Sequence, residues 1–228
     1  LESLMEYRKL GKSDLSVSLI GLGCNNFSGR IDIDTSKLVI EKSLELGINF
    51  FDTADVYGGK GGSEEYIGKI LGTNRKKIIL ATKFAMPMDD SGLLSGASRK
   101  YIHKAIESSL KRLKTDWIDL YQVHRPDPNV MPEETMHALN DLVIQGKVRY
   151  IGCSNYSSNQ LIDSQNIFKR DESKMFVSSQ DEYSLLVTDI EDKLRDTLES
   201  YGMGLLPYFP LASGLLSGKY KKDKDFPY

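Results

Sequence analysis

An aspartate, a tyrosine, a lysine and a histidine stand at or just beyond the ends of short apolar runs: Asp52, Tyr57, Lys83 and His124. Together these side chains suit one chemistry, protonation of a carbonyl oxygen while a hydride is delivered to the carbonyl carbon. A free phenol has a pKa of about 10 and is a poor acid at neutral pH. An ammonium at Lys83 would favour the phenolate and so make Tyr57 a better proton donor. Asp52 would keep that lysine charged and oriented. His124 could hydrogen-bond the carbonyl and stabilise the negative charge that develops on its oxygen. In such a scheme a cofactor carries the hydride and the protein positions it.

Elements that could position these groups alternate along the chain. A polar, hairpin-like opening (Tyr7 to Leu15, turning at Gly11) leads into a first apolar run, Val17 to Gly23. Asp34 or Thr35 is positioned to cap a helix carrying Leu38, Val39, Leu44 and Leu46, closed by Gly47. The second run is Ile48 to Phe51, followed by a glycine-rich loop and a helix opened by Ser63. The third is Ile78 to Ala81. Its helix starts near Ser98 and carries one apolar stripe, Ile102, Ala105, Ile106, Leu110 and Leu113. Trp117 to Val123 is the fourth run, and Pro132 opens a helix that Gly146 ends. Val148–Gly152, Met175–Val177 and Met203–Leu206 supply runs five to seven, separated by helical stretches at Asn159–Phe168 and Ile190–Tyr201.

The repeat of roughly 30 residues is that of a βαβ step. Runs this apolar suit a parallel sheet covered by helices. An open dinucleotide-binding sheet would carry Gly-x-Gly-x-x-Gly after its first strand. Here Gly21-Leu22-Gly23-Cys24-Asn25-Asn26 lacks the third glycine. A (β/α)₈ barrel therefore fits better, and in barrels reacting groups gather at the carboxyl ends of the strands. Those ends read Asp52, Lys83, His124, Ser154-Asn155, Gln180 and Tyr208, with Tyr57 in the loop after Asp52. No linker divides the chain, so residues 1–228 read as a single α/β domain. Only seven strands are countable, which leaves the last strand–helix unit to be expected beyond Tyr228.

The segments around these residues resemble the aldo-keto reductase family. Gly47-Ile48-Asn49-Phe50-Phe51-Asp52-Thr53-Ala54-Asp55-Val56-Tyr57-Gly58 is similar to its signature around the catalytic Asp and Tyr. Asp119-Leu120-Tyr121-Gln122-Val123-His124 and the stretch Gly146 to Asn155 match two further signatures. Tyr208 to Gly214, with Gly218-Lys219-Tyr220, resembles the cofactor loop after the seventh strand. The likeness runs in register from about Met5 to Tyr220. It implies a barrel that reduces an aldehyde or ketone with NADPH, through Asp52, Tyr57, Lys83 and His124. It further implies that Ser154, Asn155 and Gln180 bind the nicotinamide amide and that Tyr208 stacks on the ring. Phe209, Leu211, Ser213 and Lys219 would line the pyrophosphate path, and Cys24, Asn25 and Arg30 would meet the cofactor from the first loop. Potassium-channel β subunits share this fold and cofactor site. There the position of His124 is implied to hold asparagine, which favours the enzyme here.

Composition narrows the remaining classes. With 40% hydrophobic and 27% charged residues and a net charge of -2, the chain carries no footprint for nucleic acid or an anionic membrane. No apolar run is long enough to span a bilayer and no secretory signal precedes the first strand, so a cytoplasmic protein with a small-molecule partner is expected. Cys24 and Cys153 have neither metal-ligand spacing nor a disulfide framework, and no metal site is expected. His103 and His137 fall within helices and read as structural. Cys153 reads as a small buried strand residue. A barrel glycosidase would need paired carboxylates. Beyond Asp52, only Asp181 and Glu182 stand near a strand end.

Overall fold

The computed structural model describes Met5 to Tyr220. Strands β1 (Tyr7–Lys9) and β2 (Ser16–Ser18) pair as an antiparallel hairpin. Seven parallel strands follow: β3 (Leu22–Gly23), β4 (Phe50–Asp52), β5 (Ile79–Phe84), β6 (Ile118–Val123), β7 (Val148–Ser154), β8 (Ser178–Glu182) and β9 (Gly204–Tyr208). Each lies beside its successor in chain order. Between them run helices α1 (Ile33–Glu45), α2 (Tyr57–Ile70), α3 (Arg99–Leu113), α4 (Pro132–Ile144), α5 (Ser158–Ile167) and α6 (Leu194–Tyr201). A doubly wound sheet reverses its strand order at a switch point, whereas a barrel adds every strand on the same side. The unbroken order is that of a (β/α)₈ barrel over seven of its strands. The expected eighth strand lies outside the described residues. No helix among the described residues is long and apolar enough to cross a membrane.

The two-residue period of a strand divides the side chains into two cores. Phe51, Leu80, Phe84, Tyr121, Val123, Ile151 and Cys153 pack outward with the helices. Phe50, Ala81, Leu120 and Val177 gather with Leu10, Leu15 and Val17 of the hairpin in a second cluster, joined by Ile79, Tyr150 and Leu206. The hairpin therefore packs on the inner residues of the sheet. Its turn needs Gly11, whose φ is 53° and where a Cβ would lie 2.3 Å from the carbonyl oxygen of Val177. One strand step above Phe50, Ala81 and Leu120 stand Asp52, Lys83 and Gln122. The apolar floor thus sets the register of the polar layer.

Local signals account for most helix boundaries. Ser98 caps α3 through the backbone N–H of Tyr101, and the expected stripe Ile102, Ala105, Ile106, Leu110 and Leu113 is buried. Pro132 occupies the first turn of α4, and Gly146 adopts a φ of 71° just beyond it.

Several boundaries differ from the sequence expectation. The run Val17–Gly23 splits between β2 and β3, with Leu19 and Ile20 exposed where the chain passes from hairpin to barrel. Asp32 caps α1 by accepting from the N–H of Thr35, in place of Asp34 or Thr35. Leu38 and Leu46 face solvent, and Ile40 takes the buried position. The sixth barrel strand begins after Met175–Val177, and the Ile190–Tyr201 stretch divides into a 3₁₀ turn and α6. Between Tyr57 and the regular part of α2, Gly58, Gly59, Lys60 and Gly61 all have positive φ. Ser63 does not cap this helix. Its buried hydroxyl donates to the carbonyl oxygen of Cys24 and lies 2.9 Å from the hydroxyl of Thr53.

Candidate active site

Asp52 ends β4, Lys83 lies in the last turn of pleat of β5, and His124 follows β6 directly. Lys83 is wholly buried. Its Nζ donates to Asp52 Oδ2 at 2.5 Å and to the carbonyl oxygen of Thr53 at 2.9 Å. The same ammonium lies 5.1 Å from the ring centroid of Tyr57. Tyr57 in turn meets His124 edge to face, with centroids 5.7 Å apart. The four side chains singled out in the sequence therefore converge at the carboxyl ends of three adjacent strands.

The electrostatics of the cluster follow from burial and its charges. Burial works against the charge on Lys83, but Asp52 and then Tyr57 more than offset it, so its pKa lies above the ordinary lysine value. His124 is pushed down to about 3, by burial first and then by Lys83 and Arg125, and is neutral at physiological pH. Its buried Nδ1 has no hydrogen-bond partner among the described residues. The phenol of Tyr57 differs from expectation. Burial raises it above the ordinary tyrosine value, and the opposing pull of Lys83 is smaller. The arrangement holds a phenol beside a fixed cation, whose charge favours a phenolate over the phenol.

A second polar group adjoins the first. Ser154 Oγ donates to the carbonyl oxygen of Gln180 at 2.7 Å. Asn155, at a φ of 60°, donates from Nδ2 to the carbonyl oxygen of His124 and accepts at Oδ1 from the hydroxyl of Tyr208, 2.9 Å away. Gln180 Nε2 donates to Asp52 Oδ1 at 3.0 Å and so joins the two groups. This set of side-chain amides, a hydroxyl and a phenol suits a planar carboxamide, which needs both donors and acceptors in one plane.

The remaining expected residues are more dispersed. Phe209 and Leu211 are exposed. Phe209 and Ser213 have positive φ, in a loop where the Nζ of Lys219 comes close to Gly214. Asn25 and Arg30 are exposed in the first loop. Cys24 is wholly buried, with its thiol turned to the carbonyl oxygen of Leu22, its N–H donating to the carbonyl oxygen of Asp52 and its own carbonyl accepting from Ser63, so it backs the loop from beneath. Asp181 and Glu182 lie within β8, not beyond it. Asp181 accepts from Ser179 Oγ and from the N–H of Asn155, which accounts for its carboxylate.

A model described as the aldo/keto reductase family matches residues 19–228. The chain belongs to the aldo/keto reductase family. It is 39% identical to an uncharacterized oxidoreductase, YrpG, of Bacillus subtilis, over 96% of this chain and 70% of that protein. A probable voltage-gated potassium channel subunit β of Oryza sativa is 34% identical over 96% of this chain and 67% of its own length. The L-glyceraldehyde 3-phosphate reductase of Escherichia coli strain K12 is 35% identical over 95% and 64%. The chain thus spans about two thirds of the length of these relatives.

Two features of the site were not read from the sequence. Gln122 donates to Asp52 from inside the barrel. Asp55 is a buried carboxyl between Asp52 and Tyr57 in sequence, with neither side-chain oxygen hydrogen-bonded among the described residues. The first was legible in principle, because Gln122 stands two residues before His124 and so on the same strand face.

Proposed function

We propose that this aldo/keto reductase reduces an aldehyde or ketone to an alcohol, using NADPH and Tyr57 as the proton donor. The observation that carries the proposal is the wholly buried Lys83 ammonium, ion-paired to Asp52 and adjacent to the Tyr57 ring, with neutral His124 on the other side of that ring. A bound nicotinamide nucleotide supplies the hydride. Ser154, Asn155 and Gln180 would hold its carboxamide and Tyr208 its ring face, with Phe209, Leu211, Ser213 and Lys219 beside the pyrophosphate. Asn25 and Arg30 would close over it from the first loop, which buried Cys24 anchors.

In this scheme His124 hydrogen-bonds the substrate oxygen as a neutral imidazole and sets it within reach of the Tyr57 hydroxyl. As charge grows on that oxygen, Tyr57 releases its proton to it. Lys83 stabilises the phenolate left behind, and Asp52 keeps Lys83 protonated. The preference for NADPH rests on the family resemblance.

The second reading, a nucleotide-binding regulatory subunit, has support in the channel-subunit relatives. His124 favours the enzyme, because a neutral imidazole at this point serves the reaction. The deciding experiment follows nicotinamide absorbance while a panel of aldehydes and ketones is offered with NADPH. Carbonyl-dependent oxidation is expected. Tight nucleotide binding with no turnover of any carbonyl would favour the regulatory reading instead.

The cofactor assignment carries its own prediction. Tyr208→Ala should weaken NADPH binding about tenfold, since an aromatic stacking contact and its buried area are worth roughly 1 kcal/mol or somewhat more. The loss should appear in Kd by fluorescence titration. An unchanged Kd would remove Tyr208 from the nicotinamide site.

A further inference from the structure

The carboxylate of Asp52 is held at both oxygens, and the donors are divided between them. Oδ2 accepts from Lys83. Oδ1 accepts from two side-chain amides, Gln122 Nε2 and Gln180 Nε2, each at 3.0 Å. Gln180 is a residue that the cofactor amide would also engage. Gln122 differs: it is wholly buried, in register with Lys83 on one side and with Gly152 on the other. A Cβ at Gly152 would stand 3.3 Å from Gln122 Cγ, so that glycine makes room for the side chain.

Gln122 is a costly residue for this place. Its Oε1 is buried without a partner among the described residues, and an orphaned buried carbonyl costs on the order of 1–3 kcal/mol. A leucine or methionine would fill the same volume without that cost. What the amide adds is one N–H directed at Asp52. A carboxylate held at one oxygen only can rotate and share its charge between positions. Held at both, it keeps Oδ2 on Lys83 whatever Gln180 does when nucleotide binds.

We infer that Gln122 is a positioning residue for the proposed reduction: by fixing Oδ1 of Asp52 it keeps Oδ2 on Lys83, and so keeps the ammonium beside Tyr57. This rests on the carbonyl-reductase reading above. The groups that act electrostatically on Lys83 or feel its charge are Asp52, Tyr57, Asp55, Cys24 and His124. None of them donates to Oδ1, and once the cofactor amide engages Gln180 the N–H of Gln122 is the one that stays on it.

The test is Gln122→Met, which keeps the length and removes the donor, alongside Gln122→Glu. With Lys83 less firmly paired, its ammonium should deprotonate at lower pH. ¹⁵N-lysine NMR of the NADP⁺-bound protein, in which the cofactor amide would engage Gln180, assigned with Lys83→Met, should show that titration move down by about half a unit or more in Gln122→Met. In turnover, kcat should fall about tenfold with the KM for carbonyl and the Kd for NADPH within about twofold, since an interaction realised in the reacting state affects kcat. Gln122→Glu should recover activity at acid pH, where its protonated carboxyl donates to Asp52, and lose it as that proton leaves. A purely structural role would not produce this pH-dependent rescue. An unmoved Lys83 titration in Gln122→Met overturns the inference, as does a kcat equal to wild type. If Gln122→Met does not fold, absence of acid rescue in Gln122→Glu overturns it. Should the wild-type protein reduce no carbonyl at all, the reductase reading fails by itself, while the Lys83 titration still decides whether Gln122 positions the pair.

Discussion

Tyr57→Phe is expected to lower carbonyl reduction by about 10²- to 10⁴-fold, the range a positioned general acid contributes, while the Kd for NADPH stays within about twofold. The substitution removes one hydroxyl and leaves the ring. The edge-to-face contact with His124 and the proximity to Lys83 involve that ring, so both should survive. In the proposed reaction the lost group acts when the substrate oxygen takes its proton, and an interaction made only then changes kcat without changing ground-state binding. Single-turnover measurement of nicotinamide oxidation isolates the chemical step. A variant that keeps most of its single-turnover rate would remove Tyr57 from the role of proton donor. His124 could not take over as the acid, because with its pKa pushed down to about 3 it carries no spare proton at neutral pH.

The residues on which this prediction rests were legible because they interrupt an apolar pattern. Asp52, Lys83 and His124 each close a run whose hydrophobic members needed no polar neighbour, and a parallel strand buried on both faces makes such an interruption visible. Ser98 and Pro132 were legible for a local reason, the demands of a helix's first turn. Strand β8 was harder. Its residues Ser178, Ser179, Gln180, Asp181 and Glu182 are polar on both faces, because the inner face lines the site and Asp181 on the outer face receives Asn155. The apolar run that stood in for it, Met175–Val177, is the approach to the strand and not the strand itself. Val17–Gly23 failed in the opposite sense: a continuous apolar run spans two elements, since a run alone does not show where pairing changes partner. Gln122 was hidden inside a run, where a lone amide looks incidental until the carboxylate opposite it is known. Glu64 shows the same limit. It reads as an ordinary acidic residue of a helix, yet it is wholly buried, accepting from Thr82 at 2.6 Å and from Arg112 at 2.7 Å.

That buried carboxylate leads to the other large expected effect, a reversal in the relative stability of Asp55→Asn with pH. Asp55 is about as buried as Glu64 but lacks its partners: neither of its oxygens is hydrogen-bonded among the described residues. Burial pushes its pKa up to about 8, and the nearby charge of Glu64 adds to the rise while Arg112 opposes it. The native protein therefore keeps a proton on Asp55 at neutral pH that the unfolded chain, titrating near 4, has released. Because the folded state binds more protons between those two values, stability is full below about pH 4 and is lost as pH rises toward about 8. The loss amounts to on the order of 1 kcal/mol per pH unit within that window, and it levels off above it. Asparagine has the same shape and no proton to lose, so this slope should vanish in the variant. At pH 5 Asp55→Asn should be no more stable than wild type, since its own buried amide is short of partners. At pH 9 it should be the more stable of the two. Urea unfolding at both pH values measures the crossing. Parallel curves, with the same difference at pH 5 and pH 9, would mean that Asp55 titrates in the folded protein much as it does in the unfolded chain.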